Sequence, residues 1–193
     1  MNLIAFLSYV VILAFTPGPN NLMALEESKR LGFKRSFPFM EGLLAGFLVL
    51  AIITLVFTDR LMTYIPSFEP YMKIVGSFYI FYLIWGLFRK SSEKESTNQS
   101  NRQLFISGLI LNLSNVKVML YFLTGYIAFI LPAYENIWIA LLLGLFLCFA
   151  GTCSNLLWAS FGSLFKNFFN HYERAVTIAM AALLFYSVIE IWS

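Results

Sequence analysis

Apolar residues fill six long stretches of the chain, near residues 3–25, 38–57, 70–88, 104–130, 137–163 and 174–192. Each is long enough to cross a hydrocarbon layer of roughly 30 Å as an α-helix rising about 1.5 Å per residue. Alternating apolar and polar strands are absent. Backbone groups in lipid must be satisfied within the segment, so the pattern predicts six transmembrane helices in an all-α membrane protein. The one long polar run, residues 91–103 ("SSEKESTNQSNRQ"), predicts a flexible cytoplasmic linker. It separates a first three-helix half, residues 1–90, from a second, residues 104–193. With an odd number of crossings per half, the second half enters the membrane from the opposite side. If the halves are repeats, they are inverted repeats. Tyr71, Lys73 and Val75 match Tyr172, Arg174 and Val176 in type and spacing, a thin sign of such repetition.

Charge gives an orientation. Ten of the 13 Lys and Arg stand in the loops on one side: Lys29, Arg30, Lys34, Arg35, Arg89, Lys90, Lys94, Arg102, Lys166 and Arg174. Arg60 and Lys73 stand on the other side, and Lys117 lies inside a segment. The positive-inside rule places the ten in the cytoplasm and both termini outside, that is, in the periplasm of an inner-membrane protein. Only 12% of the 193 residues are charged and 60% are apolar, which excludes an ordinary soluble domain. The net charge of +3 reflects topology rather than nucleic-acid binding. The N-terminus lacks the basic stretch and cleavage site of a signal peptide, so the first segment is expected to stay in the membrane. Cys148 and Cys153 share one apolar run, and His171 is the only histidine. Neither a metal site nor a cofactor is expected.

Two segments are interrupted. In the first, "TPGPNN" at residues 16–21 places Pro17 and Pro19 where helical N–H donors should be, with Gly18 between them. The helix should break there, freeing carbonyls on one side and N–H groups on the other, with Asn20 or Asn21 capping the second half. Such a break is tolerable where it lines a protein-enclosed or watery cavity; the bland alternative is a proline kink held by neighbouring helices. In the fourth segment, "NLSNVK" at residues 112–117 opens the second half as the first run opens the first. Paired interruptions point to a transporter's binding site.

Lys117 sits near the middle of the fourth segment, where a cation costs at least about 2.5 kcal/mol, so it should face the interior and have a partner. In a continuous helix, Asn112 and Asn115 share a face and Lys117 points away; a local break brings the three together. A substrate carboxylate or Glu41 would supply the anion, and a structural Lys–Glu pair is the plain alternative. Glu41 is the one carboxylate placed well within a segment and is the proton-coupling candidate, or else an interfacial charge. Glu190 is expected at the interface. Gly42 and Gly46 allow close helix approach, within the bundle or in a homodimer. Asn155, in the polar run "GTCSN", is a candidate cavity residue, although small residues at helix contacts explain most of that run. Tyr64, Tyr71, Tyr134, Trp138 and Trp192 fall where interfacial belts form.

At these residues the chain resembles the LysE/RhtB family of bacterial amino-acid exporters, over essentially its whole length. Pro17-Gly18-Pro19-Asn20 matches that family's mark in the first membrane segment. Asn115-Val116-Lys117 stands where the family has an Asn-Pro-Lys motif, with valine replacing the proline. Asn-Val-Lys, the following "YFLTG" and "GTCSNLLWA" look most like the branch that exports cysteine and O-acetylserine. The resemblance implies a small inner-membrane protein that moves amino acids or close derivatives outward, in exchange for protons. Composition and spacing by themselves show neither export nor amino acids.

Together these expectations place a substrate site between the interruptions, at Thr16, Pro17, Gly18, Pro19, Asn20, Asn21, Asn112, Asn115, Lys117 and Asn155, with Glu41 beside it. The substrate carboxylate would meet Lys117 and half-helix N–H groups. The ammonium would meet freed carbonyls near Thr16 and Asn112, and rocking of one half against the other would alternate access. The alternative is a channel or passive pore for small anionic or zwitterionic solutes. A membrane redox enzyme is disfavoured because neither interrupted helix carries a cysteine, and no enzymatic activity is expected. Beyond substrate and lipid bilayer, a homodimer is the one further partner left open, and no nucleic acid is expected.

Overall fold

A computed structural model describes residues 1–92 and 99–192, the side chains of 59–69, 72, 89–92, 170, 190 and 191 excepted. The expectations for Arg60, Tyr64, Arg89, Lys90, Lys94, Glu190 and most of the linker lie outside the described residues or side chains.

The described residues form helices and short connections, without strands. Helix α1 runs Leu3–Phe15, α2 Pro19–Leu31, α3 Phe37–Ser92, α4 Asn101–Leu113 and α5 Val116–Thr124. A π-helical turn, Gly125–Ile130, continues α5, followed by α6 Ile137–Leu164, α7 Lys166–His171 and α8 Glu173–Trp192. Local chemistry sets several ends. The Asn2 side chain caps α1 at Ala5 N–H, and Asn136 caps α6 at Trp138 N–H. Ser100 and Gln103 form a reciprocal capping box on α4. That box starts α4 at Asn101, inside what the composition marks as linker. Helix α2 ends at Gly32, whose φ of 83° favours glycine.

By length and apolar character, Phe37–Thr58 and Ile137–Leu164 can each cross a membrane. The pairs α1–α2 and α4–α5 qualify when each is taken as one bent span, which makes up to four among the described residues. The second and third expected segments both fall within α3. Its intervening residues 59–69 hold one proline and no glycine, and the backbone stays helical through them.

Large apolar side chains cover the outside: Ile4, Phe78, Phe149 and Trp138 are all well exposed. In water that surface would be costly, whereas hydrocarbon accepts it. Inside, helices meet at glycines. A β-carbon on Gly42 of α3 would overlap the Phe105 carbonyl of α4, and one on Gly108 of α4 would overlap the Phe39 carbonyl of α3. Gly46 lies against Asn112, whose amide donates to the Leu43 carbonyl at 2.7 Å. Gly42 and Gly46 thus serve packing within the chain. Gly162 of α6 meets the Leu25 carbonyl of α2 in the same way. The end of α8 is tied to α3 by Trp192 Nε1 donating to Ser77 Oγ at 2.9 Å.

Helix α2 runs past the apolar stretch that predicts it. Glu26, Glu27, Ser28 and Lys29 are all buried. Lys29 pairs with Glu26 at 2.9 Å and Arg30 with Glu27 at 2.5 Å, both three residues apart, and Arg30 also donates to Gln99. Neutralised in pairs along one helix, these charges stay enclosed where hydropathy alone would end the segment.

Candidate functional site

The site is built from the two breaks. Pro17 and Pro19 have no N–H to return to α1, so α1 stops at Phe15 and an extended Thr16 follows. Pro19 then occupies the first position of α2, where its missing donor costs nothing. The two helices meet at 46°. The carbonyls left over are met by side chains. Asn21 Nδ2 donates to the Ala14 and Thr16 carbonyls, both at 2.9 Å. Ser154 Oγ donates to the Ala14 carbonyl at 2.8 Å, and Trp158 Nε1 to the Phe15 carbonyl at 3.3 Å. Ser154 also bonds Asn21 Oδ1 at 3.1 Å, so α6 and α2 clamp the end of α1 together.

The second break needs no proline. Helix α4 ends at Leu113, with Ser114 N–H bonded to the Ile110 carbonyl. Asn115 takes an extended conformation and its side chain accepts from Lys117 N–H at 3.1 Å, which starts α5. The two helices meet at 58°. Thus valine in place of proline at 116 does not keep the segment continuous.

The breaks touch each other. Asn115 Nδ2 donates to Asn20 Oδ1 at 2.8 Å, and Lys117 Nζ donates to Thr16 Oγ1 at 2.8 Å. The alkyl chain of Lys117 passes over Gly18, where a β-carbon would stand 3.3 Å from Lys117 Cδ. Between the breaks lies a cavity of about 40 Å³. Its polar wall is Thr16, Gly18, Asn20, Asn21, Asn115, Lys117 and Asn155. Its other wall is Leu13, Ala14, Phe47, Val118, Tyr121 and Gly151. A volume of this order takes a few waters or a small polar group.

Of the residues singled out in the sequence, seven therefore gather at the cavity. Pro17 and Pro19 shape the break beside it. Asn112 is fully buried but turned to α3, where it bonds the Leu43 carbonyl, and does not reach the cavity. Glu41 is exposed on α3, one residue before the glycine that packs on α4, and does not line the cavity. The cation at Lys117 meets a hydroxyl, Thr16 Oγ1, at this break. Ser154, Trp158 and Tyr121 were not singled out. Ser154 lies in the polar run that contains Asn155, which is the one signal that could have found it.

Helices with lipid-compatible outer faces, two of them broken toward a shared polar cavity, define a polytopic membrane protein with an internal polar site. The family model for LysE type translocators matches residues 11–189, and the chain belongs to that family. The cysteine/O-acetylserine efflux protein of Salmonella typhimurium (strain LT2) is 32% identical over 192 residues, covering 100% of this chain and 98% of that protein. Proteins of that name in Escherichia coli O139:H28 and Escherichia coli K12 are 32% identical over 188 residues, covering 97% of this chain and 96% of theirs. No solved structure matches the chain.

Proposed function

We propose that this protein is a secondary transporter exporting a small amino acid or derivative, of the cysteine and O-acetylserine type, across the inner membrane. The observation that carries this reading is the joining of two broken helices, Asn20 to Asn115 and Thr16 to Lys117, around one cavity with a polar wall. A helix broken within the membrane is tolerated where it lines such a cavity, and paired breaks mark the sites of carriers. Full-length likeness to relatives named cysteine/O-acetylserine efflux proteins supports the substrate class. Six crossings as two inverted halves, with both termini periplasmic, accord with the distribution of Lys and Arg.

In this reading the substrate carboxylate meets the Lys117 ammonium and the N–H groups that open α2. The cavity is reached from one side of the membrane at a time, and proton entry drives export. Glu41 is the proton-coupling candidate. Its exposed place on α3 means that it would act through α3 rather than by touching substrate.

Counterflow in proteoliposomes of the purified protein tests this. With cysteine or O-acetylserine loaded inside and labelled cysteine outside, saturable accelerated uptake is expected. Lys117→Ala should reduce it at least tenfold at equal protein content, and Glu41→Gln should uncouple it from an imposed proton gradient. Unsaturable flux or ohmic current in a planar bilayer would support a pore instead, and unchanged exchange in Lys117→Ala protein would remove Lys117 from the site.

A further inference from the structure

The cavity read above as the transport site is bounded on its apolar side by a wall held in place from several directions. Thr16, on the polar wall, is exposed, whereas Phe47 of α3 and Gly151 of α6, on the apolar wall, are buried. The tip of the Phe47 ring stands against α6 where that helix has no side chain. A β-carbon on Gly151 would lie 2.8 Å from Phe47 Cζ, 3.0 Å from Cε2 and 3.2 Å from Cε1. The ring therefore reaches from α3 to the backbone of α6. It also meets Phe122 of α5 edge-on, with centroids 6.2 Å apart and planes at 61°. The backbone that carries it is fixed as well. Gly46, next to it in sequence, lies against Asn112 of α4, and Asn112 Nδ2 donates to the carbonyl of Leu43, one turn before Phe47, at 2.7 Å.

A ring packed this closely does not shift without opening a void or forcing an overlap. The cavity is small, about 40 Å³, so the wall that limits it decides what enters. Its polar wall carries the groups that meet the charged end of a substrate, and the side chain is left to the apolar wall. A fixed apolar wall selects by bulk: one methylene more or less in such a pocket changes selection by roughly tenfold or more.

We infer that Phe47, seated on Gly151, is the specificity-determining residue of this site. Its ring stands where a bulky side chain would lie, so amino acids with short side chains are carried and aromatic ones are refused. The inference rests on the transporter reading and adds to it the residue that sets the upper size of the side chain.

Cysteine and phenylalanine test it. Each is loaded in turn into proteoliposomes of the full-length protein under reducing conditions, with labelled cysteine outside. The unaltered protein should exchange with cysteine at least tenfold faster than with phenylalanine. Phe47→Ala vacates the space of the ring, and phenylalanine should then come within about threefold of cysteine. A gain of this kind cannot come from a damaged protein. Phe47→Ala protein that exchanges cysteine without gaining phenylalanine overturns the inference, as does equal exchange of the two in the unaltered protein. Both of those results leave the transporter reading in place. If exchange is absent from both proteins, the transporter reading fails. In that case, or if the variant alone is inactive, calorimetric binding of phenylalanine to the detergent-purified proteins decides. Binding at least tenfold tighter in Phe47→Ala than in the unaltered protein supports the inference, and equal or absent binding overturns it. Should Phe47→Ala not fold, Phe47→Leu carries the same test with a gain of at least threefold expected, and no gain overturns the inference.

Discussion

At the first interruption Pro17 and Pro19 take two donors out of the backbone, and the stranded carbonyls of Ala14, Phe15 and Thr16 are met by Asn21, Ser154 and Trp158. At the second, no proline is present and the turn closes on itself, with Ser114 and Asn115 N–H groups bonded backward and the Asn115 side chain capping forward. The first break is thus held by another helix and the second by its own residues. The difference teaches where each is vulnerable. Disturbing α6 should loosen the first break more than the second, which answers chiefly to changes within residues 112–117.

The largest effect is expected from Asn21→Leu. It strands the Thr16 carbonyl, at about 1–3 kcal/mol for an unmet buried group, and takes one of two donors from the Ala14 carbonyl, so it should lower the thermal midpoint of the purified protein more than any change at the second break. A small change would mean the first break is not held from outside. Next, replacing Pro17 and Pro19 together by alanine restores two donors, so α1 and α2 can join into one helix. Exchange activity should be lost while the thermal midpoint falls little, and retained activity would show that the bend does not depend on proline. Asn115→Ala removes both a cap and the bond to Asn20, costing about 1–2 kcal/mol, measurable by chemical or thermal unfolding. The smallest effect belongs to Val116→Pro. Position 116 opens α5, where proline is tolerated, so unfolding should shift by no more than about 1 kcal/mol in either direction with exchange retained. A collapse there would mean that the contact of Val116 with Gly76 of α3, rather than the cap, sets the second break.

Much of this was legible in the sequence. Two prolines two positions apart announce a break on their own chemistry, and a lysine deep in an apolar run announces an interior site. Asn155 could be picked out because amides are rare in such runs. Other features depend on which face a residue presents, which hydropathy does not fix. Glu41 and Gly42 are neighbours, yet one is exposed and the other is pressed against α4. Asn112 and Asn115 are equally polar, yet one serves helix packing and the other the cavity. The charged half of α2 looked like loop because charges are counted singly in a hydropathy window. Their pairing, Glu26 with Lys29 and Glu27 with Arg30, is what keeps them inside. Trp158 reaches the Phe15 carbonyl from 143 residues away, a contact no local pattern encodes.

The glycine crossings have a mechanical consequence. Gly42 with Gly108 rivets α3 to α4, and Gly162 with the Leu25 carbonyl rivets α6 to α2. Each rivet fastens a helix from before the polar linker to one from after it. Sliding either pair would part backbones that touch directly. Helix α1, with Phe6 and Val10 buried, is held by side chains instead: Tyr9 donates its hydroxyl to the Tyr121 carbonyl, and Ser154 and Trp158 donate to the carbonyls at its end. Parting α1 from its neighbours would break side-chain contacts, whereas parting either riveted pair would separate backbones.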